Sequence, residues 1–159
     1  MAESVICFGQ QPCGFFPKRF LVAKLETART LQREVGGQIV FFYHDSDSDD
    51  RETITVLRDL QTKVVERINF LVKNKVQKKY TPLYLKQLAH GWQAETARRL
   101  RRFVDVDTVP LFAGVTATTV ADFCLEMYRG LGLLDGVTVV RSSDASVRGR
   151  ASELSGEYY

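Results

Sequence analysis

The sequence is poor in the residues from which most catalytic and structural signatures are made: among 159 residues there are two histidines, three cysteines, four prolines and one tryptophan. Three cysteines cannot all pair within one chain, and the scatter of Cys7, Cys13 and Cys124 outlines no disulfide framework, so reduced thiols are expected. Together with only two histidines they give no zinc spacing. No stretch of about 18 apolar residues is present, which excludes a helical membrane span. The opening Met1-Ala2-Glu3-Ser4 has no basic segment followed by an apolar run and a small-residue cleavage site, so a cytoplasmic protein is expected. There is no internal repeat and no linker rich in Gly, Ser or Pro. An excess of one charge sign is lacking too: 22 Lys and Arg face 19 Asp and Glu, a net +3. That is too small for long-range attraction to nucleic acid, which is not expected as a partner, and any basic function must be local.

What is present is an ordinary globular composition, 45% hydrophobic and 26% charged, in a chain about the size of one domain. Residues 1–150 are expected to form that domain, with 151–159 a loose tail lacking periodicity. Ser4-Val5-Ile6-Cys7-Phe8 reads as a strand buried on both faces that ends at Gly9. From Lys18, apolar residues at Leu21, Leu25, Ala28, Leu31 and Val35 recur at helical spacing until Gly36-Gly37 stops them. Ile39 to Tyr43 is a second buried strand, followed by an acidic loop from Asp45 to Asp50. Strand, crossover helix and strand within about 40 residues make a βαβ unit, hence an α/β fold, a Rossmann-like parallel sheet with flanking helices. In such sheets ligands collect beyond the carboxyl ends of the strands, here the Gly9 loop and the Asp45–Asp50 loop together.

Further along, Leu57, Leu60, Val64, Ile68 and Leu71 suit a helix, while Ile68, Phe70 and Val72 suit a strand, and both readings stay open. Thr81-Pro82 is expected to start a helix that Gly91 interrupts. A second helix spans Gln93 to Phe103, and Pro110 falls in the loop beyond it. Thr118 or Thr119 caps the clearest helix of the chain, with Val120, Phe123, Cys124, Met127 and Leu131 on one face. Val137 to Val140 is the third strand of the sheet, leading into Ser142-Ser143-Asp144 as a helix cap. The exposed edges of so small a parallel sheet are compatible with a homodimer.

The segment Gly9-Gln10-Gln11-Pro12-Cys13-Gly14 connects a strand to a helix, where free N–H groups and the helix dipole favour a phosphate. Lys18 and Lys24 on the following helix can add positive charge, and Ser143 lies at another strand end. The segment matches neither G-x-G-x-x-G nor the G-K-[ST] ending of a P-loop, and a plain tight turn is the alternative. Asp45, Asp47, Asp49, Asp50 and Glu52 repel one another unless solvated or neutralised by a cation. A calcium loop fails, because the sixth position from Asp45 is Asp50 rather than Gly and the twelfth is Val56 rather than Glu. Magnesium on Asp47 and Asp49, or the ammonium of an amino substrate, remains beside a solvated loop as the alternative. His44 is a candidate acid or base, or a structural histidine. Cys7 is expected in the core, and Cys13 in the site loop. The runs Lys73 to Lys79 and Arg98 to Arg102 are read as solvated faces rather than a nucleic-acid patch.

Gly9-Gln10-Gln11-Pro12, Lys24 in the following helix, and Asp47-Ser48-Asp49 after the second strand resemble the N-terminal part of the bacillithiol-synthesis cysteine-adding enzymes. The resemblance implies a core related to class I synthetases and nucleotidyltransferases, and a ligase-type reaction using ATP or ADP with magnesium and an amino acid. Gly9, Gln10, Gln11 and Lys24 would lie in the nucleotide pocket, Asp47 and Asp49 on its acidic side. Ser48 stands where that family has histidine, Pro17-Lys18-Arg19 replaces its glycine-proline segment, and its second, lysine-bearing phosphate motif has no counterpart here. In that comparison the chain is a truncated or minimal relative. Two functions are therefore carried forward: a nucleotide-dependent ligase or nucleotidyltransferase relative, and a noncatalytic module that meets a protein or RNA partner.

Overall fold

The computed structural model describes residues 4–59, 61–70 and 74–158. Three parallel strands, β1 (Val5–Gln10), β2 (Gln38–Tyr43) and β5 (Val137–Arg141), form a sheet in the order β1-β2-β5. The helix α1 (Arg19–Val35) crosses from β1 to β2. The α/β class expected from the βαβ pattern is thus present, with Cys7 paired to Val40 and Tyr43 to Arg141 in the registers of the two ladders. Gly37 is required at the entry to β2: its φ is +93°, and a Cβ there would stand 2.1 Å from the carbonyl oxygen of Ser4.

Between β2 and β5 come a short 3-10 turn (Arg51–Thr53), β3 (Thr55–Arg58), β4 (Val65–Ile68), α2 (Lys75–Tyr80), α3 (Trp92–Leu100), α4 (Thr108–Gly114) and α5 (Val120–Gly130). The ambiguous stretch is an antiparallel hairpin, β3 with β4, in which Leu57 faces Glu66 and Thr55 faces Ile68. Leu60, Leu71 and Val72 lie outside the described residues. The helix expected after Thr81-Pro82 instead precedes it. Asn74 caps α2 by accepting from the backbone N–H groups of Val76 and Gln77, and Thr81, extended as a residue before proline must be, ends it. Pro110 sits inside the first turn of α4 rather than in a loop, at a position where its missing N–H has no helical partner to lose. Thr119 is the cap of α5, accepting from Asp122 N at 3.3 Å. The tail is helical: α6 (Ala145–Tyr158) runs through it, and its side chains from Arg148 to Gly156 are exposed.

Side chains of β2 alternate: Ile39, Phe41 and Tyr43 are buried, the last two in one cluster with Leu21 and Leu25 of α1 and Phe123 of α5, whereas Val40 and Phe42 are only half-buried. β1 is an edge strand rather than a doubly buried one, and Cys7, expected in the core, is exposed on the uncovered face. The core is aromatic. Phe15, in the loop after β1, has no exposed surface and lies 5.0–6.5 Å, ring to ring, from Phe16, Phe70, Trp92, Phe112 and Phe123. Its backbone N–H donates to Thr55 Oγ1 at 3.0 Å, so this loop joins the sheet to the hairpin and the helices beneath it. Replacing Phe15 with Ala removes that hub, and a loss of about 3–5 kcal/mol is expected in urea unfolding.

Candidate functional site

The site is built where β1 and β2 end. Lys24, one turn into α1, turns back toward β1, and its ammonium donates to the carbonyl of Gly9 and to Gln10 Oε1, each at 2.9 Å. An ammonium carries three N–H groups, so one is left over from these two bonds. Lys24 also borders an open groove of about 280 Å³ between α1 and the free edge of β1, with Ile6, Phe8, Ala28 and Leu31 among its apolar walls. Beyond the strand end, the Gln11 amide donates to Asp47 Oδ2, bridging the loops after β1 and β2. The other Asp47 oxygen accepts from the backbone N–H of Asp49 at 2.9 Å. Gly9, Gln10, Gln11, Lys24, Asp47 and Asp49 are thus brought together.

Lys18, Ser143 and His44 are placed differently. Lys18 is the N-cap residue of α1, and its ammonium pairs with Glu52 at 3.1 Å. His44 is exposed, its ring against Phe42 on the face of the sheet away from Tyr43. Ser143 enters the site through a residue that the sequence marks only as one acid among several. Asp45 has no exposed surface, and it accepts from Arg141 Nε at 2.7 Å, Ser142 Oγ at 3.1 Å, Ser143 N at 3.0 Å and Ser143 Oγ at 2.8 Å. Arg141 also reaches Asp122 at 2.6 Å, on the first turn of α5. Ser142 Oγ lies 2.8 Å from Ser46 Oγ and 3.0 Å from Ser46 N. The signal for this cluster is the register itself: Tyr43 is opposite Arg141, so Asp45 falls opposite Ser143 just beyond the paired residues. Without the register nothing in the sequence links residues so far apart.

Three of the five acids in and beside the loop are paired with the chain's own cations. Asp45 is held by Arg141, Glu52 by Lys18, and Asp49 by Arg51, whose guanidinium keeps the Asp49 carboxyl down at about 2. Beneath them is the fully buried Lys86, another residue that the sequence does not single out. Its ammonium donates to the carbonyls of Ser48 and Lys78, each at 2.9 Å, tying the loop to the C-terminal turn of α2. Burial pulls the Lys86 pKa below the ordinary lysine value, against the field of Asp50, Asp49 and Asp47.

These pairings bear on magnesium. Asp47 is occupied by Gln11 and its own loop, Asp49 by Arg51, and among the described residues no group of three or more His, Cys, Asp or Glu side chains is placed to share a metal ion. Asp47 and Asp49 as arranged do not fit a divalent-cation site. Cys13 is equally unsuited to attack. It is fully buried, its sulfur lies 3.3 Å from the Tyr128 hydroxyl, and burial pushes its thiol pKa up. Compared with models of known protein families and with curated proteins, the chain matches none.

Two outcomes follow. Asp45→Ala leaves the Arg141 guanidinium and two serines without their shared acceptor, and a loss of about 3–5 kcal/mol in chemical denaturation is expected, as for breaking a buried charge pair from one side. Asp49 retains its charge, and with it the Arg51 pair, as pH falls below the ordinary aspartate range, and loses it only near pH 2. Carboxyl NMR titration should show that low midpoint in the wild type and a higher one in Arg51→Gln, in which the backbone N–H at position 51 still donates to the carboxylate.

Proposed function

We propose that the protein binds a nucleotide, ATP or ADP, at the carboxyl ends of β1 and β2. The observation that carries this reading is the joining of an apolar groove to a positive charge at the strand ends. The groove beside β1 offers Ile6, Phe8 and Leu31 to a flat apolar group such as a base, and the Lys24 ammonium at its border offers an N–H to a phosphate. Gln11, held by Asp47, presents its amide oxygen at the same end, where it can accept from a ribose hydroxyl or an ammonium. The position agrees with the general rule for parallel sheets, in which ligands sit beyond the carboxyl ends of the strands.

The resemblance of Gly9-Gln10-Gln11-Pro12, Lys24 and Asp47-Ser48-Asp49 to the cysteine-adding ligases supports the same site and extends the reading to an ATP-dependent ligase or nucleotidyltransferase relative acting on an amino acid. In such a reaction the side chains position and stabilise charge, and no protein nucleophile is needed. The noncatalytic alternative is favoured by the internal pairing within the acidic loop, which leaves Asp47 and Asp49 engaged with the protein's own donors.

The test is thermal unfolding with and without ADP or ATP, each with and without magnesium. A ligand at 100 times its dissociation constant adds about 2.7 kcal/mol, so a rise of several degrees is expected. Lys24→Ala should weaken the nucleotide by about tenfold, the scale of one charge-assisted hydrogen bond. The double variant Gln11→Ala, Asp47→Ala should abolish the shift. An unchanged shift in that variant overturns the site; a shift present in the wild type without turnover of any amino acid selects the binding module over the ligase.

A further inference from the structure

The small net charge conceals a segregation along the chain. Residues 55–102 carry twelve Lys and Arg against three Asp and Glu, a net +9, while the remainder carries ten against sixteen, a net −6. The basic segment holds the β3–β4 hairpin, α2 and α3. Two of its three acids are spent inside it: Glu66 pairs with Arg99, and Asp59 with Arg102 at 3.0 Å. Those pairs, with the Trp92 indole donating to the carbonyl of Asn69 at 2.6 Å, seat α3 against the inner side of the hairpin. The outer side is left to solvent. There Val56 stands opposite Arg67 and Arg58 opposite Val65, and all four are exposed. Lys63, exposed at the hairpin turn, adds a further cation. Neither arginine nor Lys63 has an ion-pair partner among the described residues. Lys75, Lys78 and Lys79 of α2, Arg98 of α3 and Arg101 just after it are exposed and without ion-pair partners among the described residues as well, and add to the positive charge of the segment.

We propose that the outer face of the β3–β4 hairpin is a docking surface for double-stranded DNA. A two-stranded antiparallel ribbon fits the major groove of B-form DNA, which is about 12 Å wide, and its arginines then reach phosphates or base edges. A duplex of A form does not offer this fit, since its major groove is too narrow and deep for side chains. On the ribbon Arg and Val alternate within each strand and across the pair, so charged and apolar positions are intermixed rather than segregated, which suits a groove lined by phosphates and bases better than a lipid surface. The surface is separate from the strand-end site, and the proposal stands or falls without it.

The experiment is fluorescence anisotropy of a labelled random-sequence duplex of about 20 base pairs, titrated with the full chain at low and physiological salt. Binding in the micromolar range that weakens steeply with salt is expected. Arg58→Gln with Arg67→Gln should weaken it by about tenfold or more and flatten the salt dependence by about two phosphate contacts. Lys63→Glu, at the hairpin turn, should weaken it as well and serves as a second variant should the first unfold, which circular dichroism reports. No binding at low salt, unchanged affinity in both variants, or tighter binding to single-stranded RNA or to anionic vesicles than to the duplex would overturn the proposal.

Discussion

The carboxylate of Asp45 is the constraint on which the rest of the site depends. A charge removed from water must be matched by donors, and here the donors come from the far end of the chain. Arg141, Ser142 and Ser143 are bound to it at the place where β2 and β5 leave the sheet. Arg141 passes the constraint on to Asp122 at the start of α5, and Ser142 passes it to Ser46 at the start of the acidic loop. The direction in which Asp47 is presented to Gln11 therefore follows from a cluster whose central carboxylate is itself buried. Lys86 performs a related service from below, holding Ser48 against α2.

A second constraint acts on the loop after β1. Cys13 and Phe15 are driven into the core, the first against Tyr128 and the second into the aromatic cluster, so Gln10 and Gln11 are held at the rim between an anchored strand and an anchored loop. A site placed this way is preorganised by packing that involves none of its own side chains, which reduces the entropy lost when a ligand is bound.

Much of the sheet was legible in the sequence. The change from a β-branched run to helical spacing and back, from Ile6 through Leu25 to Phe41, determines a parallel βαβ unit with little ambiguity, and Val137 to Val140 completes it. The adjacency of the Gly9 and Asp45–Asp50 loops followed from topology alone. What escaped was everything set by pairing over long separations. Cys7 looks like a core residue in an apolar run, yet its strand lies at an edge with one face uncovered. The acids of the loop look free, yet Arg141 and Lys18, the partners of Asp45 and Glu52, are positioned by elements whose register the sequence does not reveal. The balance of charge misled in the same way, since a sum over the chain hides a basic unit beside an acidic one.

The central claim, a nucleotide seated at the strand ends on a platform fixed by Asp45, is tested most directly by mapping amide NMR shifts during titration with ADP. The account predicts that the perturbed amides cluster at Gly9 to Gln11, Asp45 to Asp49 and the first two turns of α1, with the hairpin β3–β4 silent. Perturbations confined to other surfaces, such as the groove beside Val104 and Pro110, or none at saturating ADP, would contradict it.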